Sequence, residues 1–153
     1  MHYTILSLMI LFAFPALQAK ETKKQQESQI SLTRSQEEIR AIASQATYSA
    51  FKAYDHYIQR DISIAKAPAI GQWVGNVNVA QANAVIPYIR VVVDEIAPVA
   101  RRLKRDERET FWETVQIQLT SHFCARVAKE KYWRDRVSRE VSSQVNLKKI
   151  QDF

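Results

Sequence analysis

The apolar positions of this chain change their spacing four times, and each change predicts a different element. Tyr3 to Leu17 carries no charge, is almost continuously apolar, and leads straight into Gln18-Ala19-Lys20. A helix needs about 20 residues to cross a hydrocarbon layer of ~30 Å, so this stretch is short for a span and has the outline of a secretory signal peptide over residues 1–19. The small Ala19 sits at the cleavage position, and the mature chain is expected to start at Lys20. Met1-His2 supplies almost no positive charge ahead of the apolar core, and Leu17 is larger than the residue preferred two positions before the cut. An uncleaved membrane anchor is therefore the alternative. Both readings place the rest of the chain outside the cytoplasm, periplasmic or secreted.

Residues 20–33 are polar apart from Ile30 and Leu32, too little apolar surface to order a segment, and are read as a flexible leader. At Ser35 the pattern becomes helical. Ser35 with Glu38 forms a capping box, and Ile39, Ala43, Ala46, Ala50, Ala53 and Tyr57 then recur every three or four residues, which predicts a helix over about 34–66. Its face is a narrow run of alanines that lets a partner helix approach closely, changing to Tyr54, Tyr57, Asp61 and Ile64 at the far end. Pro68 closes it. Both glycines of the chain follow, with a tryptophan between them: Gly71, Trp73 and Gly75 predict a shaped loop over 69–78, either a recognition element or a cap that folds Trp73 back on the helices.

The next helix is predicted over about 80–104 in spite of two internal prolines. At ~100° per residue, Val85, Ile89, Val92, Ile96, Val99 and Leu103 fall within about 80° of one another, and Pro87 and Pro98 lie nearly opposite, beside Arg90, Asp94, Arg101 and Arg102. A proline on the wet face frees one carbonyl that water can satisfy, so the helix curves without breaking. Asp106 with Glu109 repeats the capping pattern after a turn of a few residues, so the two neighbours should be antiparallel.

Beyond Asp106 no glycine or proline interrupts the chain, and one long helix to about Asn146 is predicted. Its inward stripe reads Phe111, Trp112, Val115, Leu119 and Phe123, and resumes with Trp133, Val137, Val141 and Val145. The predicted fold is therefore all-α: a three-helix up-down-up bundle over residues 34–153 with a long C-terminal helix. The second helix is too short to cover the third beyond about residue 131 at ~1.5 Å per residue. Trp133, Val137, Val141 and Val145 are thus expected to be exposed and to form an interface, with a homodimer as the commonest form.

Composition agrees with helices. Hydrophobic residues make up 46% of the chain against two glycines and four prolines, whereas sandwiches and barrels need frequent turn residues. The single cysteine, Cys124, excludes an internal disulfide and a cysteine-rich metal site, and reads as a small half-buried apolar residue.

Candidate chemistry is sparse. His122, Arg126 and Glu130 follow one another at i, i+4, i+8; Arg126 and Glu130 interrupt the apolar stripe of the long helix, with His122 alongside. If the first and third helices run parallel, Tyr57 and Asp61 come to the same height, and the five residues would form a polar binding pocket or a satisfied network that fixes helix register. One histidine with two carboxylates is a poor match to zinc, so no metal and no cofactor are expected. Glycine-rich phosphate loops, Gly-x-Ser-x-Gly and His-Glu-x-x-His are all missing. Asp55 and His56 are adjacent, hence ~100° apart on a helix, and do not make a dyad.

The net charge of +6 gathers at residues 101–108, five basic against two acidic, and at 126–139, six against two. Outside the cytoplasm such patches suit anionic lipid, lipopolysaccharide or cell-wall polymer, and no nucleic acid is expected. The function expected is that of an exported, non-enzymatic helical binding protein: an adaptor, chaperone or inhibitor meeting another envelope protein or a second copy of itself. A basic envelope-surface binder is one alternative; a small envelope hydrolase using His122, Arg126, Glu130 and Asp61 is another.

Overall fold

The computed structural model describes residues 34–66 and 74–152; among them all regular structure is helical, in four helices with no strand. The signal segment, the leader, Gly71 and Trp73 lie outside the described residues.

Helix α1, Gln36–Lys66, starts immediately behind Ser35 and carries Glu37 and Glu38 in its first turn, where the helix dipole favours negative charge. Its buried positions are Ile39, Ala43, Thr47, Ala50, Phe51, Ile58 and Ile62. The Thr47 hydroxyl is satisfied by donating to the Ala43 carbonyl at 2.7 Å. The expected alanine face is therefore corrected beyond residue 50, because Ala53 and Tyr57 point to solvent. Free energy follows apolar area at roughly 25 cal/mol per Å², and Phe51, Ile58 and Ile62 remove far more of it than alanines do, so they take the core.

Helix α2, Val74–Arg101, begins about six residues earlier than its apolar pattern suggested, so Gly75 belongs to the first helical turn and not to a loop. One glycine costs a helix about 1 kcal/mol relative to alanine, too little to delay the start of 28 residues. Pro87 and Pro98 are both exposed, and Val85, Ile89, Val92, Ile96 and Leu103 are buried. Ala82, Val93, Ala97 and Ala100 are buried as well, because α2 packs against α1 on one side and against a fourth helix on the other.

That fourth helix is the main correction to the predicted topology. In place of one long helix there are two, α3 (Glu107–Cys124) and α4 (Lys131–Asp152). The break needs no glycine or proline. Val127 is buried and Ala128 half-buried within it, and the turn closes through Ala125 N–H to Ser121 O (3.1 Å) and Arg126 N–H to Phe123 O (3.0 Å). Folding back buries Trp133, Val137, Val141 and Val145, the last three completely. At about 1.5–3 kcal/mol per large apolar side chain, that gain exceeds the few helical hydrogen bonds given up, each worth about 1 kcal/mol. The exposed interface expected on these four residues does not exist in the folded chain.

Side-chain bridges fix the directions. Gln118 donates to Ser44 (2.6 Å) and Arg126 to Asp55 (2.9 Å), so α1 and α3 run parallel. Tyr54 donates to Glu95 and Tyr88 to Asp61, so α1 and α2 are antiparallel. Gln116 with Ser142 and Glu109 with Lys149 make α3 and α4 antiparallel, while Asn83 with Arg136 and Asp94 with Lys148 make α2 and α4 parallel. Among the described residues α1 and α4 do not meet. Trp112, Phe111, Phe123, Ile58, Ile89, Ile96 and Leu119 fill the space between the helices, all fully buried.

The turn from α2 to α3 is held by side chains other than those expected. Asp106 occupies the N-cap position in a helical conformation and makes no side-chain cap. Buried Glu107 instead accepts from the Lys104 N–H at 2.9 Å. Arg108 then donates to the carbonyls of Leu103 (3.1 Å), Arg101 (3.2 Å) and Asp152 (2.8 Å).

Candidate functional site

The residues expected to form a polar pocket are separated by the helix break. His122, still on α3, stacks on Phe51 of α1 with ring centroids 4.8 Å apart and an interplanar angle of 18°. Its pKa is lowered, chiefly by burial and then by the charge of Arg126, with Asp55 opposing. Arg126 leaves the helix, binds the Asp55 carboxylate through Nε (3.2 Å) and a terminal nitrogen (2.9 Å), and lies over the Phe51 ring. Glu130 turns away to open α4: its carbonyl accepts from the Trp133 and Arg134 N–H groups, and its carboxylate accepts from Trp133 Nε1 at 3.1 Å. A carboxylate at a helix N-terminus is well placed against the dipole.

Tyr57 and Asp61 join a different group. Asp61 accepts from Tyr88 of α2 and from Arg60 at 2.9 Å, and its pKa is held below the usual carboxylate range by the Tyr88 bond first and Arg60 second. Tyr57 is 47% exposed and packs against His56 and Arg60. The parallel direction of α1 and α3 was legible, but α3 stops at Cys124, level with Asp55, so everything on α1 past that point has no α3 beside it. Asp55 is thus the carboxylate that sequence reasoning missed, dismissed because its neighbour His56 points elsewhere. Phe51, one turn before it on the same side of α1, was the available signal.

What the sequence did not anticipate is an apolar groove between α1 and α2. Ala41, Ile42, Gln45, Ala46, Ser49, Ala50 and Ala53 form one wall, Glu95 and Val99 the other, around about 690 Å³. The bond from Tyr54 to Glu95 (3.2 Å) crosses one end of it. This is the alanine face of the sequence, displaced outward by the bulkier side of α1. Its small side chains allow another helix to come close, and Ile42 and Val99 give that helix apolar surface to cover.

A second, smaller groove of about 320 Å³ lies at the start of α4, lined by Thr120, Cys124, Lys129, Lys131, Arg134, Asp135 and Ser138. Cys124 is half-buried and free, its thiol against the Arg134 carbonyl at 3.6 Å, with burial pushing its pKa up. A thiol held protonated is a poor nucleophile. Among the described residues no three histidine, cysteine or carboxylate side chains gather as metal ligands would, and no helix is long and apolar enough to cross a membrane. The chain finds no match among protein-family models, curated proteins or solved structures.

Proposed function

We propose that this is an exported, non-enzymatic helical binding protein that works by protein–protein contact in the bacterial envelope, as an adaptor, chaperone or inhibitor. The observation that supports it is the α1–α2 groove: its small and apolar side chains stay uncovered, whereas the bulkier stripes of α3 and α4 through Phe111, Leu119, Phe123, Val137 and Val141 are packed away. Uncovered apolar surface of this kind is the usual mark of a docking site for an amphipathic helix. The N-terminal Tyr3–Leu17 pattern supports export. No arrangement of nucleophile, base and oxyanion donor supports hydrolysis at His122, since Asp61 and Tyr57 stand apart from it.

The test is capture from envelope extract by the immobilised protein and by its Ala53→Glu variant, washed at low and at high salt. An apolar partner stays bound to the wild type at high salt and is lost from the variant, because screening acts on charge and not on apolar burial. The runner-up, an anionic envelope surface met by Lys129, Lys131 and Arg134, gives the opposite result: binding to anionic vesicles that high salt abolishes and Ala53→Glu leaves intact. Intact-mass measurement of the exported protein checks cleavage after Ala19; retention of residues 1–19 in a membrane fraction would replace secretion with anchoring.

A further inference from the structure

We infer that the occupant of the α1–α2 groove is α1 of a second copy, docked antiparallel about a twofold axis at Ser49. This rests on the groove being a docking site and adds the identity of the partner. At ~100° per residue, one exposed strip of α1, about 80° wide, holds Ser35, Glu38, Ile42, Ala46, Ser49, Ala53, His56, Arg60 and Ile64. Its two charged residues are Glu38 and Arg60, of opposite sign, and Ser49 lies midway between them in sequence. Antiparallel pairing about Ser49 sets Glu38 of each copy against Arg60 of the other, twice per dimer. It also sets Ile42 against His56, and the small Ala46, Ser49 and Ala53 in the middle, where close approach is needed.

The rest of the strip supports the same pairing. Arg60 is more than half exposed even with its contact to Asp61, so its guanidinium has face left for a second carboxylate. Ile42 and Ala46, near the middle of the strip, also line the groove, so the same residues serve both surfaces. Parallel pairing would instead stack Glu38 on Glu38 and Arg60 on Arg60, like charges that repel. An isologous contact of this type closes at two copies, because each strip is used once.

The experiment is sedimentation equilibrium of the purified protein together with disulfide trapping of Ser49→Cys in a Cys124→Ser background. The wild type is expected to be dimeric, and the trapped variant to run at twice the monomer mass after mild oxidation, since residue 49 meets its own counterpart only at the axis. Glu38→Arg and Arg60→Glu should each weaken the dimer by about tenfold or more, and the double exchange should restore it; that rescue separates a charge register from a merely damaged helix. A wild type that stays monomeric at millimolar concentration overturns the inference, as does a dimer that neither traps at residue 49 nor responds to the exchange. If the protein is monomeric yet Ala53→Glu still removes a salt-resistant partner, the second-copy inference fails while the docking site stands. If Ala53→Glu alters neither self-association nor capture, both fail.

Discussion

Two apolar stripes of this chain depart from the places their sequences suggested, the one on α4 wholly and the one on α1 in its second half. Trp133, Val137, Val141 and Val145 of α4 read as an overhang and are buried; Ala53 and Tyr57 of α1 read as part of a core face and are exposed, with Ala46 only half-buried. Spacing was equally good in both. The difference is side-chain size: a tryptophan and three valines justify breaking a helix to be covered, whereas a row of methyl groups forfeits little by staying wet. Periodicity says which residues share a face, and volume decides which face wins the interior.

The largest effect that would break this contrast comes from Val137→Glu with Val141→Glu. Two carboxylates forced into positions with no exposed surface should cost more than about 4 kcal/mol and abolish cooperative folding, seen as loss of the thermal transition by circular dichroism. A variant that still folds cooperatively would mean that α4 is not docked. Next comes the clasp at the helix break. Arg126→Ala should destabilise by about 1 to 2 kcal/mol, through its stacking on Phe51 and its bond to Asp55, and a double-mutant cycle with Asp55→Ala should return a coupling of about 1 kcal/mol for this partly exposed pair. No coupling in urea titrations would detach the break from α1.

A smaller effect is expected from pH. His122 takes up a proton less readily in the native protein than in the unfolded chain, so its stabilising contribution is complete above the ordinary histidine pKa of about 6.5 and is lost as pH falls through the lowered native value. His122→Phe, which keeps the stack on Phe51, should flatten the fall in stability as pH drops below about 6.5; an unchanged slope would assign it elsewhere. The smallest expected effect sharpens the contrast from the other side: Ala53→Glu should change the unfolding free energy by less than about 0.5 kcal/mol at dilutions where the chain is monomeric. A larger loss would show that the alanine face is core after all.

Much of the fold was legible. The helical class, the start of α1 behind Ser35, the outward prolines of α2 and the inward positions of α3 follow from spacing; for α4 spacing shows that Trp133, Val137, Val141 and Val145 share a face, and not that the face is buried. The break was not, although its sign is present: the polar interval of His122, Arg126 and Glu130 fits a pocket lining within one helix as well as it fits the end of that helix. A stop encoded by neither glycine nor proline depends on tertiary gain, and only the packing of residues 133–145 against α2 and α3 reveals it. The site was less legible still, because Asp55 and the groove both depend on how far α1 rotates about its own axis, which Phe51, Ile58 and Ile62 set together.

The Arg108 clasp has a consequence for the order in which this molecule is made. Its guanidinium joins the turn after α2 to the Asp152 carbonyl, 44 residues further on. At about 5–20 residues per second, synthesis leaves that bond and the whole α4 wall missing for several seconds after α1, α2 and the start of α3 have emerged. Throughout that interval the sides of α2 and α3 that α4 packs against have no cover, and Val137, Val141 and Val145, buried in the finished fold, are not yet in place.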